Sequence, residues 1–252
     1  MSLRSFGFGV LLMGLLTTTA AASVQQELDS AAKQGRIAFI LVTGEGASGT
    51  DQTRDMVKQA MKQVKNSALV ELDRSNPANA DLVAKFRLAG APVPLILVAA
   101  RNGVLAGGLI AAQATVENLV AMVPSPKTGD ILQVLQGGKA VLISVSRKGM
   151  ATKSGAAVAC AAACGQMKDR CSVVQIDMDD PAEAGFLSRL KVDRAATEPV
   201  TFVVNNQGQI TGAYTGAPDV ASLVQAANKK GGGCAPGACG PGSSTSCDPA
   251  KK

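Results

Sequence analysis

The sequence predicts an α/β protein made of two tandem copies of one unit. Each unit is a mixed central sheet flanked by helices, and a Cys/Gly/Pro tail follows the second. Three observations carry this reading. The chain repeats itself at an offset of 103 to 105 residues. Each copy alternates short, near-continuous apolar runs with helical patterns, as a sheet covered on both faces does. Each copy also ends its strand series with a hairpin signal, Asn102-Gly103 in one and Gln207-Gly208 in the other.

The elements follow in order. Ala38-Phe39-Ile40-Leu41-Val42-Thr43 matches Val141-Leu142-Ile143-Ser144-Val145-Ser146 as the first strand. A helix follows in each copy; its apolar stripe in the first is Met56, Val57, Ala60, Met61 and Val64. The second strand is Leu69 to Asp73 or Val173 to Asp177, with Pro-Ala four residues on (Pro77-Ala78, Pro181-Ala182). Strand–helix–strand alternation implies a right-handed parallel crossover. A short helix comes next, Asp81 to Phe86 or Ala184 to Leu190. Pro94 and Pro199 then precede the third strands, Leu95 to Val98 and Val200 to Val204. A closing helix contains Val116 to Val120 or Val220 to Val224. The stretch 123–129, with two prolines and a glycine, reads as a short stiff linker.

The flanks of the repeat differ from it. One charge at Arg4, an apolar run from Phe6 to Leu16 and the small residues Ala20-Ala21-Ala22 form a signal-peptide pattern, with cleavage expected after Ala22. The run falls short of the roughly 20 residues that span a bilayer. No cysteine follows it, which argues against lipid anchoring. The expected destination is the periplasm or the extracellular space, with no membrane span after cleavage. The domains are thus residues 1–22 (signal peptide), 24–124, 128–230 and 231–252 (tail).

Composition narrows function by exclusion. The chain has no His and no Trp, and aromatics are 3% of it. Without His there is no Ser-His-Asp or Cys-His catalysis and no His-ligated metal. The net charge of +6 falls to about +5 without Arg4, and the cations are scattered along helices. Nucleic-acid binding is not expected, because neither a recognition motif nor stacking aromatics accompany those cations.

Element order, the Asp closing the second strand and the proline before the hairpin together resemble the thioredoxin fold, twice over, across residues 24–230. The resemblance implies that Pro94 and Pro199 are cis prolines facing an active site. It also implies a Cys-x-x-Cys pair between the first strand and its helix, where the helix N-terminus lowers a thiol pKa. Here the chain departs from the family. Residues 44–50 read Gly-Glu-Gly-Ala-Ser-Gly-Thr, residues 147–154 read Arg-Lys-Gly-Met-Ala-Thr-Lys-Ser, and neither holds a cysteine. Ser48 and Thr152 cannot exchange disulfides and read as loop or helix-cap residues. No catalytic residue stands at the standard positions.

The six cysteines lie elsewhere. Cys160 and Cys164 share a helix face, matching Met56 and Ala60, and Cys171 begins the next strand. A core role and a disulfide from Cys171 to one of the helix pair are both open. A copper-chaperone branch of the same fold uses Cys-x-x-x-Cys, the spacing of Cys160 and Cys164. That branch also needs a His, which this chain lacks. Cys234, Cys239 and Cys247 lie in the tail, whose composition predicts disorder unless it is cross-linked or metal-bound. Disulfide formation, thiol exchange with soft-metal capture (copper or zinc), and attachment to another molecule all remain open for it.

The first functional expectation is a non-enzymatic module that binds a protein or peptide client, within thiol/disulfide homeostasis of the envelope. It needs no cofactor. The alternatives are an atypical thiol-disulfide oxidoreductase using helix or tail cysteines, and a thiol-based soft-metal carrier. Oligomeric state is not specified by the sequence.

Overall fold

The computed structural model describes residues 22–230. The expected signal peptide, apart from Ala22, and Cys234, Cys239 and Cys247 therefore lie outside the described residues. The first domain runs α1 (Val24–Lys33), β1 (Ile37–Thr43), α2 (Thr50–Gln63), β2 (Ser67–Asp73), α3 (Ala80–Lys85), β3 (Leu95–Ala99), β4 (Leu105–Ile110) and α4 (Val116–Ala121). The second repeats this as α5 (Pro126–Gln136), β5 (Ala140–Ser146), α6 (Lys153–Met167), β6 (Cys171–Asp177), α7 (Ala184–Arg189), β7 (Val200–Val204), β8 (Ile210–Thr215) and α8 (Val220–Asn228).

Each domain has one four-stranded sheet, in the order β2-β1-β3-β4 and β6-β5-β7-β8. The first two strands pair in parallel and the rest are antiparallel. This is the thioredoxin-like arrangement, present twice. The sheets separate two apolar layers in each domain. Ile40, Val42 and Leu97 face the layer of α1 and α3, while Phe39, Leu41 and Val98 face α2 and α4. In the second domain Ile143 and Val145 face the α5 and α7 side, and Leu142 and Val203 face α6 and α8. Alternation along a strand buried on both faces produces this division.

The turns repeat as closely as the strands. Asp73 and Asp177 accept from the N–H two residues on, at 2.8 and 3.0 Å. Asn76 and Asp180 then cap a single 3₁₀ turn that begins with Pro77 or Pro181. Both third helices end on a residue in the left-handed region, Arg87 (φ 55°) and Lys191 (φ 55°). Leu88 N–H and Val192 N–H reach back to Val83 and Leu187 carbonyls there, the Schellman closure.

Two sequence expectations are corrected. Only four residues, 122–125, lie between α4 and α5, because Pro126 to Gly129 open α5. Ser125 accepts from Thr128 N–H as N-cap and Pro126 takes the first helical position, where its missing N–H costs nothing. Gly129 is tolerated because α5 presses on the β3–β4 turn: a Cβ there would stand 3.3 Å from the Ala100 Cβ. The second correction is Pro199. Val93–Pro94 is a cis bond, whereas Glu198–Pro199 is trans. Both prolines hold the same place, accepting at 2.9 Å from Ala111 and Gly216 N–H respectively. Pro94 stands seven positions after Arg87 and Pro199 eight after Lys191, so the second loop is one residue longer.

The domains are joined by more than the linker. Asn102 donates to the Gly129 carbonyl at 2.9 Å, and Gln136 donates to the Leu105 carbonyl at 2.7 Å. Glu183, fully buried, receives the Ser125 hydroxyl at 2.6 Å and the Lys127 N–H at 2.9 Å. Its carboxylate thereby closes the N-terminal end of α5, where backbone donors lack partners.

Candidate groove beside Pro94 and the cysteine end of domain 2

The place where the fold would carry redox cysteines is built differently in the two domains. In the first, Gly49 adopts φ 75° as the N-cap of α2, and the buried Thr53 hydroxyl donates back to the Gly49 carbonyl at 2.8 Å. Ser48 therefore stands one residue outside the helix. The α2 start, the cis Val93–Pro94 step and the segment after β4 enclose an open groove of about 550 Å³. Gln52, Met56, Val93, Pro94, Ile110 and Ala112 line it. Val93 is half-buried, and among the described residues neither its N–H nor its C=O takes part in a backbone hydrogen bond.

Arg74 holds this geometry from behind. Its guanidinium donates to the Leu88 and Ala91 carbonyls, which fixes the approach to Pro94. Its aliphatic stem passes over Gly44, where a Cβ would lie 2.9 Å from Arg74 Cγ and Nε. Glycine is required there to let the arginine cross.

In the second domain the matching groove is closed. Thr152 is the N-cap of α6, but its side chain makes no cap bond and its hydroxyl has no partner among the described residues. Aligned on their buried residues, α2 and α6 put Cys160 at Val57 rather than at the Met56 that the sequence repeat suggests, so Gly155 matches Gln52, and Ala217 matches Ala112. A Cβ on Gly155 would stand 3.1 Å from the Ala217 Cβ, so helix and loop touch where the first domain leaves space. Gly216 (φ 77°) lies under the Glu198 carboxylate, where a Cβ would stand 3.3 Å from Oε2.

The cysteines gather at the opposite end of α6. Cys164 and Cys171 form a disulfide with a Cα–Cα distance of 5.0 Å, tying the last turns of α6 to the start of β6. Cys164 is half-buried and Cys171 is buried. Among the described residues Cys160 is the one cysteine outside the bond. It is fully buried against Leu142 and Val203, with its Sγ 3.8 Å from the Thr201 hydroxyl. Burial pushes its thiol pKa up, so it stays protonated and a poor nucleophile. The Cys160–Cys164 dithiol that copper chelation would need is consequently not present. Among the described residues no three Cys, Asp or Glu side chains converge as a metal site. None of their helices is long and apolar enough to cross a membrane.

Sequence reasoning placed the cis bond at Pro94 and left the partner of Cys171 open between Cys160 and Cys164, but it missed Arg74, Gly44 and Val93. Arg74 follows an Asp that ends a strand, and Gly44 follows the partner strand in register (Thr43 opposite Asp73). That register was the available signal.

No family profile and no curated protein matches the sequence. Among solved structures, the first two thioredoxin domains of Saccharomyces cerevisiae Eps1p are similar at 11% identity and a TM-score of 0.32, over 86% of this chain and 100% of that one. Human ERp44 (form II) is similar at 10% identity and a TM-score of 0.35, over 86% of this chain and 59% of that one. The NTD_N/C domain of the alkylhydroperoxide reductase AhpF from Enterococcus faecalis is similar at 14% identity and a TM-score of 0.27, over 81% and 96%.

Proposed function

We propose that this tandem thioredoxin-like protein is an exported client-binding module of thiol/disulfide homeostasis, and that its first domain holds extended peptide in the groove beside Pro94. One observation carries the reading: among the described residues the Val93 N–H and C=O have no backbone partner, at the rim of an open groove of about 550 Å³. An extended peptide supplies one acceptor and one donor to such a residue, as in strand addition. Met56, Val93 and Ile110 offer apolar contact for alternate side chains. The groove holds no cysteine, so the client would be bound there without exchange.

The signal pattern at residues 1–22 supports an exported location. The disulfide in the second domain fits an oxidising compartment.

The test is titration of the mature chain, isotope-labelled, with a reduced and carboxymethylated unfolded polypeptide. Amide shifts are expected at residues 48–56, 93 and 110–114. Ala112→Trp fills the groove and is expected to weaken binding at least tenfold. Ala217→Trp, at the matching but closed position of the second domain, is expected to leave it unchanged. Equal loss from both variants, or shifts confined to the second domain, would sink the reading.

A further inference from the structure

The two domains share a pocket of about 380 Å³ at their junction. Val64 and Lys65 at the end of α2, Arg101 in the β3–β4 turn and the segment 123–126 supply one side of it. Gly185, Phe186 and Arg189 of α7 supply the other. The hydrogen bonds of Asn102 and Gln136 across the junction hold the two sides relative to one another. The groove beside Pro94 is a separate place: it lies at the first turn of α2, and this pocket lies past the last.

The walls are apolar. Ile37, Val64 and Pro124 are buried, whereas Val120, Val123 and Phe186 are half-buried. Val120 and Val123 pack on the α2 and α4 layer of the first domain, and Phe186 packs on the α5 and α7 layer of the second. Each core thus ends in apolar surface that faces one shared space. An apolar body placed there would take both surfaces out of water.

The charges at the pocket have one sign. Lys65, Arg101 and Arg189 border it, all exposed, and no acidic residue among those described lines it. Among the described residues none of the three cations forms an ion pair. Glu183 stands in sequence between the lining residues Ala182 and Gly185, but it is buried and its carboxylate is taken up by the Ser125 hydroxyl and the Lys127 N–H. The basic rim therefore stays uncompensated. A cleft lined by one sign of charge concentrates ions of the other. An arginine fork pairs with a carboxylate or phosphate through two parallel hydrogen bonds.

We propose that the domain junction binds a single-chain amphiphilic anion, with its apolar chain against Val120, Val123 and Phe186 and its carboxylate or phosphate head held at the rim by Lys65, Arg101 and Arg189. Such a ligand touches both domains in the arrangement described, so its binding steadies the junction as well as filling it.

The test is titration of the isotope-labelled mature chain with decanoate, kept below its micelle-forming concentration. Saturable amide shifts are expected at Val64, Arg101, Val123 and Phe186, in both domains together. Decanol has the chain without the charge, and acetate has the charge without the chain. Each should bind about tenfold more weakly than decanoate, or worse. Decyl phosphate assigns the head: tighter binding than decanoate marks a phosphate site, weaker binding a carboxylate site. Combining Lys65→Gln, Arg101→Gln and Arg189→Gln changes only exposed side chains and should weaken decanoate about tenfold. Gly185→Trp fills the pocket from α7, where an added Cβ meets nothing within 4 Å, and should weaken decanoate by a similar factor. Decanol binding as tightly as decanoate overturns the proposal, and so does an unchanged affinity in either variant. Shifts confined to the groove beside Pro94, or to the basic end of the second domain at Ala140, Met167 and Arg170, overturn it as well.

Discussion

The two domains solve one packing problem with arginines of opposite origin. Both must fix the loop that leads to the proline before the third strand. In the first, Arg74 after β2 grips the Leu88 and Ala91 carbonyls and crosses Gly44 after β1. In the second, the residue after β5 is Arg147, which grips the Arg194 carbonyl, and the residue after β6 is Met178. Arginine and small or apolar partner have changed strands. The second solution is less complete, since Arg147 Nε is buried without a hydrogen-bond partner among the described residues and stands 3.8 Å from Asp179. The consequence reaches the groove: Arg74 acts from behind the loop and leaves space beside Pro94, whereas in the second domain Gly155 and Ala217 meet. A repeat can therefore keep its sheet and turns while only one copy keeps an open face.

This comparison is broken most directly at the arginines. Arg74→Met removes a charged donor from two half-buried carbonyls, and hydrogen bonds from charged groups contribute about 1.5–3 kcal/mol each. The first domain is expected to lose about 3 kcal/mol, read by chemical unfolding with hydrogen exchange resolving the domains. Adding Gly44→Arg to Arg74→Met imports the arrangement of the second domain and should recover at least half of the loss. Gly44→Arg alone should be as damaging as Arg74→Met, because a Cβ there already meets Arg74 at 2.9 Å. Independent, additive effects of the two changes would show that the exchange of strands has no energetic meaning.

A smaller effect is expected from the disulfide, which only the second domain has. It closes a short loop, seven residues apart in sequence, so Cys164→Ser with Cys171→Ser should cost about 2 kcal/mol. The loss should fall on the second domain alone, with hydrogen exchange in β1–β3 unchanged. Slowed or accelerated exchange in the first domain would mean that α5 and the Glu183 cap couple the two sheets.

These differences mark where the sequence stops being legible. The first strands, Ile37–Thr43 and Ala140–Ser146, are buried nearly throughout, and uniform apolarity announces that. The Asp-Pro turns and the hairpins follow from local chemistry, so they too are readable. Cys160 and Cys164 share a helix face, and periodicity cannot say which one meets Cys171. The position of β6 against the last turn of α6 decides it, and that is a tertiary fact. Pro94 and Pro199 hold matched places yet differ in isomer, which no local pattern announces. The groove was the least legible feature, because an open space is set by what fails to fill it: Gln52 and Ala112 in one copy, Gly155 and Ala217 in the other. Arg74 and Arg147 differ from any surface arginine only through contacts 14 and 47 residues away in sequence.

The last difference is the cap on the closing helix. Thr115 caps α4, its hydroxyl accepting from Asn118 N–H at 3.1 Å, and Asp219 caps α8, its carboxylate accepting from Ser222 N–H at 2.9 Å. The Asp219 carboxyl is held below the usual carboxylate range by the Ser222 backbone bond, then by the Ser222 hydroxyl and the neighbouring backbone amides. A pKa depressed in the folded state stabilises the domain above the unfolded value, and that contribution is lost as the pH falls through the folded one. The helix dipole acts in the same sense, favouring the anion at this end. Thr115 carries no charge, so α4 should keep its cap across the same range. Acid should therefore loosen α8 before α4, by a small margin that amide exchange of the two helices between pH 5 and pH 2 can resolve. Asp219→Thr gives the second domain the cap of the first and should remove that pH dependence. If α8 and α4 loosen together in the wild type, or Asp219→Thr leaves the acid sensitivity of α8 in place, the asymmetry does not reside in the cap.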